Sequence, residues 1–138
     1  MMNYFSIVIP VFNEELNIDT LVEEIFLNLE NYNDHYEIIF INDGSEDNSI
    51  LKIKNLNKKF PNIIRYINNN QNIGQSLSLV EGIKFSKFDT IVTIDGDGQN
   101  NPKDIPILLK KYFSDDNLFL VGGIRNKRRD TFIKIFSS

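Results

Sequence analysis

At 138 residues, with 41% apolar and 25% charged side chains, the chain is long enough for one domain with one core. It has no cysteine and a single histidine, His35, which excludes disulfides and thiolate metal sites and leaves little for a zinc site or a serine–histidine triad. The net charge of −4 is uneven: Arg125, Lys127, Arg128, Arg129 and Lys134 against Asp130 give residues 125–138 a net +4 and leave −8 for the rest.

The elements alternate along the chain. "FSIVIPV", residues 5–11, is a continuous apolar run of strand length, the signature of a strand buried on both faces. In "NIDTLVEEIFLNLEN" the apolar positions Ile18, Leu21, Val22, Ile25, Phe26 and Leu29 recur at helical spacing, with Asn17 as an expected N-cap. "YEIIFI" predicts a second strand, "NDGSEDNS" a turn, and "SILKIKNLNKKF" a helix that Pro61 closes. "NIIRYI" is a third strand, "NNNQNIG" a polar loop and "QSLSLVEGIKFS" a helix; "DTIVTI" is a fourth strand. A helix from about Pro102 to Phe113 follows, with Pro102 suited to its first turn and Pro106 expected only at the edge of that turn. "LFLVGG" closes the series as a fifth strand.

Such alternation predicts a parallel α/β sheet, whose ligands bind beyond the carboxyl ends of the strands. "PVFNEE", "NDGSED" and "DGDGQ" each fall at such an end and can converge on one crevice. In "TIDGDGQNNP" the side chains of Asp95, Asp97 and Gln99 alternate with glycines. Close carboxylates raise each other's pKa unless a cation joins them, and Mg²⁺, Mn²⁺ and Ca²⁺ all accept oxygen ligands; a solvated turn is the alternative. An EF-hand is excluded, because counting from Asp95 places Asn100 and Pro106 where that loop needs Gly and Glu. The chain has neither the dinucleotide glycine fingerprint after its first strand nor a P-loop.

Taken together, "IVIPVFNEE", "INDGSEDNS", "NIGQSLSLVEGI", "IDGDGQNNPKDIP" and "VGGIRNKRRD" resemble the family-2 inverting glycosyltransferases of GT-A fold, and in particular the branch that transfers sugars to polyprenyl phosphates such as dolichyl and undecaprenyl phosphate. The resemblance covers nearly the whole chain. It implies an α/β, Rossmann-like GT-A fold, mainly parallel, with helices on both faces. It implies a UDP- or GDP-sugar donor, a Mg²⁺ or Mn²⁺ cofactor and a polyprenyl-phosphate acceptor at an anionic membrane surface. Nucleic acid is not an expected partner, since the body is acidic and the basic segment has few aromatics; a homo-oligomer is left open. By the same resemblance Pro10, Phe12 and Glu14 line the base and ribose, and Ile41 and Asp43 hold the base. Asp95, Gly96 and Asp97 form the D-x-D element, with Asp95 toward the ribose and phosphate. Asp97 and Gln99 ligate the metal, and Arg125 meets a diphosphate or the acceptor phosphate, so that Asp97 and Arg125 carry the catalytic roles. Phe12 replaces the family's usual Tyr, and Asn42 its frequent Asp.

Each of these residues also has a structural reading: Pro10 as a strand end, Phe12 as core, Asp43 and Ser45 as helix caps, Gly74 as a turn glycine and Arg125 as a solvated charge. The sequence stops at "TFIKIFSS", where related enzymes continue into acceptor-side and membrane segments. The expected organisation is therefore a nucleotide-sugar-binding domain over residues 1–124 and a basic, partly apolar tail over 125–138. No apolar run reaches the ~20 residues that span a bilayer, and no export signal is evident, so the cytoplasmic face of the membrane is the expected location. The alternatives are a non-catalytic nucleotide-sugar-binding module or inactive fragment, and a transferase acting on a soluble glycan or protein.

Overall fold

A computed structural model describes residues 3–124 and 131–138. Its strands are β1 (Phe5–Val11), β2 (Tyr36–Asp43), β3 (Ile64–Asn69), β4 (Thr90–Thr93), β5 (Leu120–Ile124) and β6 (Thr131–Ser137). Its helices are α1 (Ile18–Asn28), α2 (Ser49–Lys59), α3 (Gln75–Phe85) and α4 (Asp104–Phe113). One six-stranded sheet runs in the order β3-β2-β1-β4-β6-β5. The first four strands are parallel, with Phe5 opposite both Tyr36 and Thr90, and Ile38 opposite Ile64. β6 is antiparallel to both of its neighbours, pairing Thr93 with Lys134 and Leu120 with Phe136.

The unbroken apolar runs have the cause expected of them: both faces are covered. Phe5, Ile7, Ile9, Ile38, Phe40 and Val92 point to one face, where α1, α2 and α4 bring Ile18, Ile25, Ile53, Ile105 and Leu109. Val8, Ile39, Ile41 and Ile91 point to the other, under Leu79 and Ile83 of α3. Period-two alternation along each strand supplies both layers from one run. α3 lies close on the sheet because Gly82 is there: a Cβ would stand 2.4 Å from Val8 Cγ1 and 2.6 Å from Ile41 Cδ1.

Three local expectations change. Asn17 precedes α1 and its carbonyl accepts the Leu21 N–H, but its side chain makes no cap and donates instead to Glu14 Oε2 at 2.7 Å. α4 starts at Asp104, which leaves Pro102 ahead of the helix and makes Pro106 its third residue; the first turn has no intrahelical N–H partner to lose, so proline fits there. Residues 131–137, read as part of a tail, form β6 inside the sheet. Ile133 and Ile135 are buried in the larger core layer and the intervening Lys134 is exposed, a strand alternation. Among the described residues, no helix is long and apolar enough to cross a membrane.

Candidate functional site

The parallel strands β1, β2, β3 and β4 end at one edge, and four loops meet there. The loops after β1 and β2 are laced together by side chain–backbone bonds. Asn13, at φ 54°, accepts the Glu46 N–H on its Oδ1 (2.8 Å) and donates its own N–H to Ser45 Oγ (2.9 Å). Glu14 N–H donates to Ser49 Oγ (2.9 Å), Glu15 N–H to Asp47 Oδ2 (3.2 Å), and Asn48 N–H to Glu15 Oε2 (3.0 Å). Much of "FNEE" and "GSEDNS" is therefore bracing, with the polar atoms of one loop satisfying the backbone of the other. Sequence reasoning did not find this role; the positive-φ tolerance of Asn13 was its only local signal.

The third loop follows β3. Its backbone crosses Gly44 so closely that a Cβ there would lie 2.5 Å from Gln71 C and 2.6 Å from Asn72 N, and the φ of Gly44 is +72°. Asp43, 3% exposed, accepts the Ile73 N–H on Oδ1 (2.7 Å) and the Gly74 N–H on Oδ2 (3.0 Å). Asp43 is thus no helix cap; it holds a loop. Ser45 is no cap either, since its hydroxyl accepts from Asn13.

These loops enclose a crevice of ≈ 330 Å³ lined by Pro10, Phe12, Glu14 and Asp43 on one side and by Asp95, Gly96 and Asp97 on the other, with Asn72, Gly74 and Gln75 between. Its volume lies within the range of small-ligand pockets. A second hollow of ≈ 530 Å³ adjoins it across Phe12 and Asn72. Phe12 is 46% exposed, so it is a wall of the crevice and not core. Gly96 is buried against β1, where a Cβ would come within 3.1 Å of Pro10 O and Val11 Cγ2.

Two expected site residues stand apart from the crevice. Ile41 is 0% exposed and packs under α3, because its place in β2 turns it to the sheet face. Gln99 is exposed and outside the crevice lining; its N–H donates to Asp97 Oδ1 at 3.0 Å. Arg125, with the rest of the basic cluster 125–129, lies outside the described residues.

The electrostatics of the crevice are one-sided. Four carboxylates line it (Glu14, Asp43, Asp95 and Asp97) and no basic side chain does among the described residues. Burial first, then the charge of Asp97, pushes the Asp95 carboxyl above its ordinary pKa; hydrogen bonds from Asn100 and Gln75 and the charge of Lys134 oppose this. Lys134 entered the sequence reading only as a tail charge, but its pairing with Thr93 brings it near Asp95.

Among the described residues, no three His, Cys, Asp or Glu side chains stand together so as to hold a metal ion between them. Asp95 and Asp97 are nevertheless hard oxygen donors with excess negative charge between them, which suits Mg²⁺ or Mn²⁺, ions that characteristically complete their shells with substrate phosphates and water.

The model of the family "Glycosyl transferase family 2" matches residues 6–137. An undecaprenyl-phosphate 4-deoxy-4-formamido-L-arabinose transferase of Shewanella sediminis is 33% identical over 137 residues, 99% of this chain and 41% of that protein. A dodecaprenyl-phosphate galacturonate synthase of Rhizobium johnstonii is 31% identical over 129 residues, 94% of this chain and 38% of that protein. The chain thus spans about two fifths of the length of these relatives. Among solved structures, a mannosyltransferase of Pyrobaculum calidifontis in complex with GDP-Man and Mn²⁺ superposes with a TM-score of 0.83 at 13% identity, over 99% of this chain and 45% of that one. Glucosyl-3-phosphoglycerate synthase of Mycobacterium tuberculosis, in complex with Mn²⁺, UDP and phosphoglyceric acid, gives 0.69 at 22% identity, over 90% and 44%. At such identities these two structures establish the GT-A-like fold alone.

Proposed function

The chain belongs to glycosyl transferase family 2, and we propose that it forms the donor-binding part of a metal-dependent inverting transferase that moves a sugar from a nucleoside diphosphate to a polyprenyl phosphate. The observation that carries this reading is the crevice at the strand ends, with four carboxylates and no basic side chain in its described lining. A diphosphate cannot rest there uncompensated: two like charges ~4 Å apart cost about 4 kcal/mol at an effective dielectric of 20. The relatives named for polyprenyl phosphates and the Mn²⁺–nucleotide complexes of similar folds support the same reading.

In this reading the Phe12 ring covers the nucleoside, with Pro10 and Glu14 beside it. Asp43 offers the base its remaining lone pairs, because a carboxylate has about four acceptor sites and the loop uses two. Asp95 faces the ribose and phosphate. A divalent ion held by Asp97, with Gln99, would neutralise the charge developing on the departing diphosphate. The N-terminus of α3, which opens into the crevice at Gly74 and Gln75, adds favourable partial positive charge. The acceptor oxygen attacks the anomeric carbon from the face opposite the leaving group, which inverts it. A polyprenyl phosphate is already anionic and needs no strong general base. Arg125 would meet the diphosphate or the acceptor phosphate, with the reaction at the cytoplasmic face of the membrane.

Calorimetry tests the donor half. UDP or GDP binds with Mn²⁺ or Mg²⁺ present and much more weakly with chelator, and Asp97→Ala removes most of that difference while the melting temperature holds. Equal affinity with and without metal would rule the metal out.

A further inference from the structure

We propose that Gln75 is a positioning residue that sets the orientation of Asp95, an inference that rests on the donor-site reading above. Its side-chain Nε2 donates to Asp95 Oδ1 at 2.7 Å. This bond ties the start of α3 to the segment just after β4, the two ends of these consecutive elements that lie away from their connecting loop. Three features hold Gln75 in place for it. Gly44 lets the backbone of Gln71 and Asn72 pass within reach of β2, where any Cβ would collide. Asp43 grips the next two amides, Ile73 and Gly74. Gly74 then turns the chain at φ +96°, with no atom within 4 Å of where a Cβ would stand; glycine is needed there for the dihedral and not for space. Gln75 follows as the first residue of α3.

The neighbouring Asp97 carboxylate repels Asp95, and the hydrogen bonds from Gln75 and Asn100 oppose that repulsion. A neutral donor on one oxygen fixes the side chain without adding further positive charge to a carboxylate that Lys134 already reaches. A lysine at position 75 would make the bond but also neutralise the site. Gln75 is exposed and not part of the apolar core, so its removal leaves the fold intact.

Calorimetry on the whole chain, with GDP and UDP in saturating Mn²⁺, tests this. Gln75→Ala is expected to bind about tenfold more weakly, the worth of a hydrogen bond to a charged group at its lower end, with an unchanged melting temperature. In an Asp95→Ala background the same change is expected to alter affinity less than twofold, because the two residues act as one unit. The Gln75 side-chain amide signals in ¹⁵N NMR should move on Asp95→Ala, a readout independent of nucleotide. Gln75→Ala binding within twofold of the unaltered chain overturns the proposal, as does a tenfold loss that persists without Asp95, or amide signals indifferent to Asp95→Ala. Failure of the unaltered chain to bind either nucleotide overturns the donor-site reading and this proposal together.

Discussion

Asp43 and Phe12 separate bracing from binding at the scale of single residues. Asp43 is buried and spends both oxygens on the loop after β3, so Asp43→Ala is expected to cost on the order of 3 kcal/mol, two hydrogen bonds to a charged acceptor. A urea titration reads that loss, and nucleotide affinity should fall with it because the crevice wall is loosened. Phe12 presents the opposite case. Its ring is nearly half exposed, so Phe12→Ala should leave stability within about 0.5 kcal/mol. The same change should remove about 1–3 kcal/mol of nucleotide affinity if the ring stacks on the base. Stability loss without affinity loss would return Phe12 to the core reading. The acidic pair and the strand-end position of Asp43 were legible in the sequence, since like charges and turn glycines at a strand end are local signals. The grip of Asp43 on Ile73 and Gly74, thirty residues on, was not, and neither was the bond from Gln75 to Asp95. Both depend on which loops the sheet order makes neighbours.

Among the elements, the parallel half was legible because each strand buried on both faces leaves an unbroken apolar run. β1 spans the residues expected of it, Phe5–Val11. β6 was missed for the converse reason. "TFIKIFSS" is short, follows a basic cluster, and pairs with β4 some forty residues away; only its alternation, with Ile133 and Ile135 inward, marked a strand. Packing of α3 rests on a gap that only glycine leaves. Gly82→Ala gains about 1 kcal/mol of helix propensity, yet its Cβ would meet Val8 and Ile41 inside contact distance, and overpacking costs about 1–3 kcal/mol. Net destabilisation is therefore expected in thermal melts, and a more stable variant would show that α3 can ride away from the sheet. At the opposite edge, buried Glu37 accepts from Ser6 Oγ (2.6 Å), Arg65 Nη1 (2.8 Å) and the Lys87 N–H (2.7 Å), tying β1, β2 and β3 to the turn before β4. Glu37→Ala strands these donors and should cost about 3 kcal/mol, with nucleotide affinity unchanged because the network lies at the far end of the strands.

For the molecule as a whole, charge is uneven along the sequence: residues 125–138 carry a net +4 and the rest −8, with Lys134 of β6 standing by the crevice and the other basic residues at 125–129. Each Lys or Arg near an anionic bilayer contributes about 1 kcal/mol, screened over about 8 Å at physiological ionic strength. Co-sedimentation with anionic vesicles, released by high salt and abolished when Arg125, Lys127, Arg128 and Arg129 become Gln, is the expected result. Binding that ignores both lipid charge and salt would point to apolar surface such as Phe119, which is 81% exposed. The central claim is that the ends of β1, β2 and β4 form one metal–nucleotide crevice. Paramagnetic broadening of backbone amide signals by Mn²⁺ with GDP or UDP tests it most directly. The account predicts strongest broadening at residues 95–99, with Phe12, Asp43 and residues 72–75 next, and its loss in Asp97→Ala. Broadening centred elsewhere on the chain, or spread evenly over its exposed carboxylates, would contradict it.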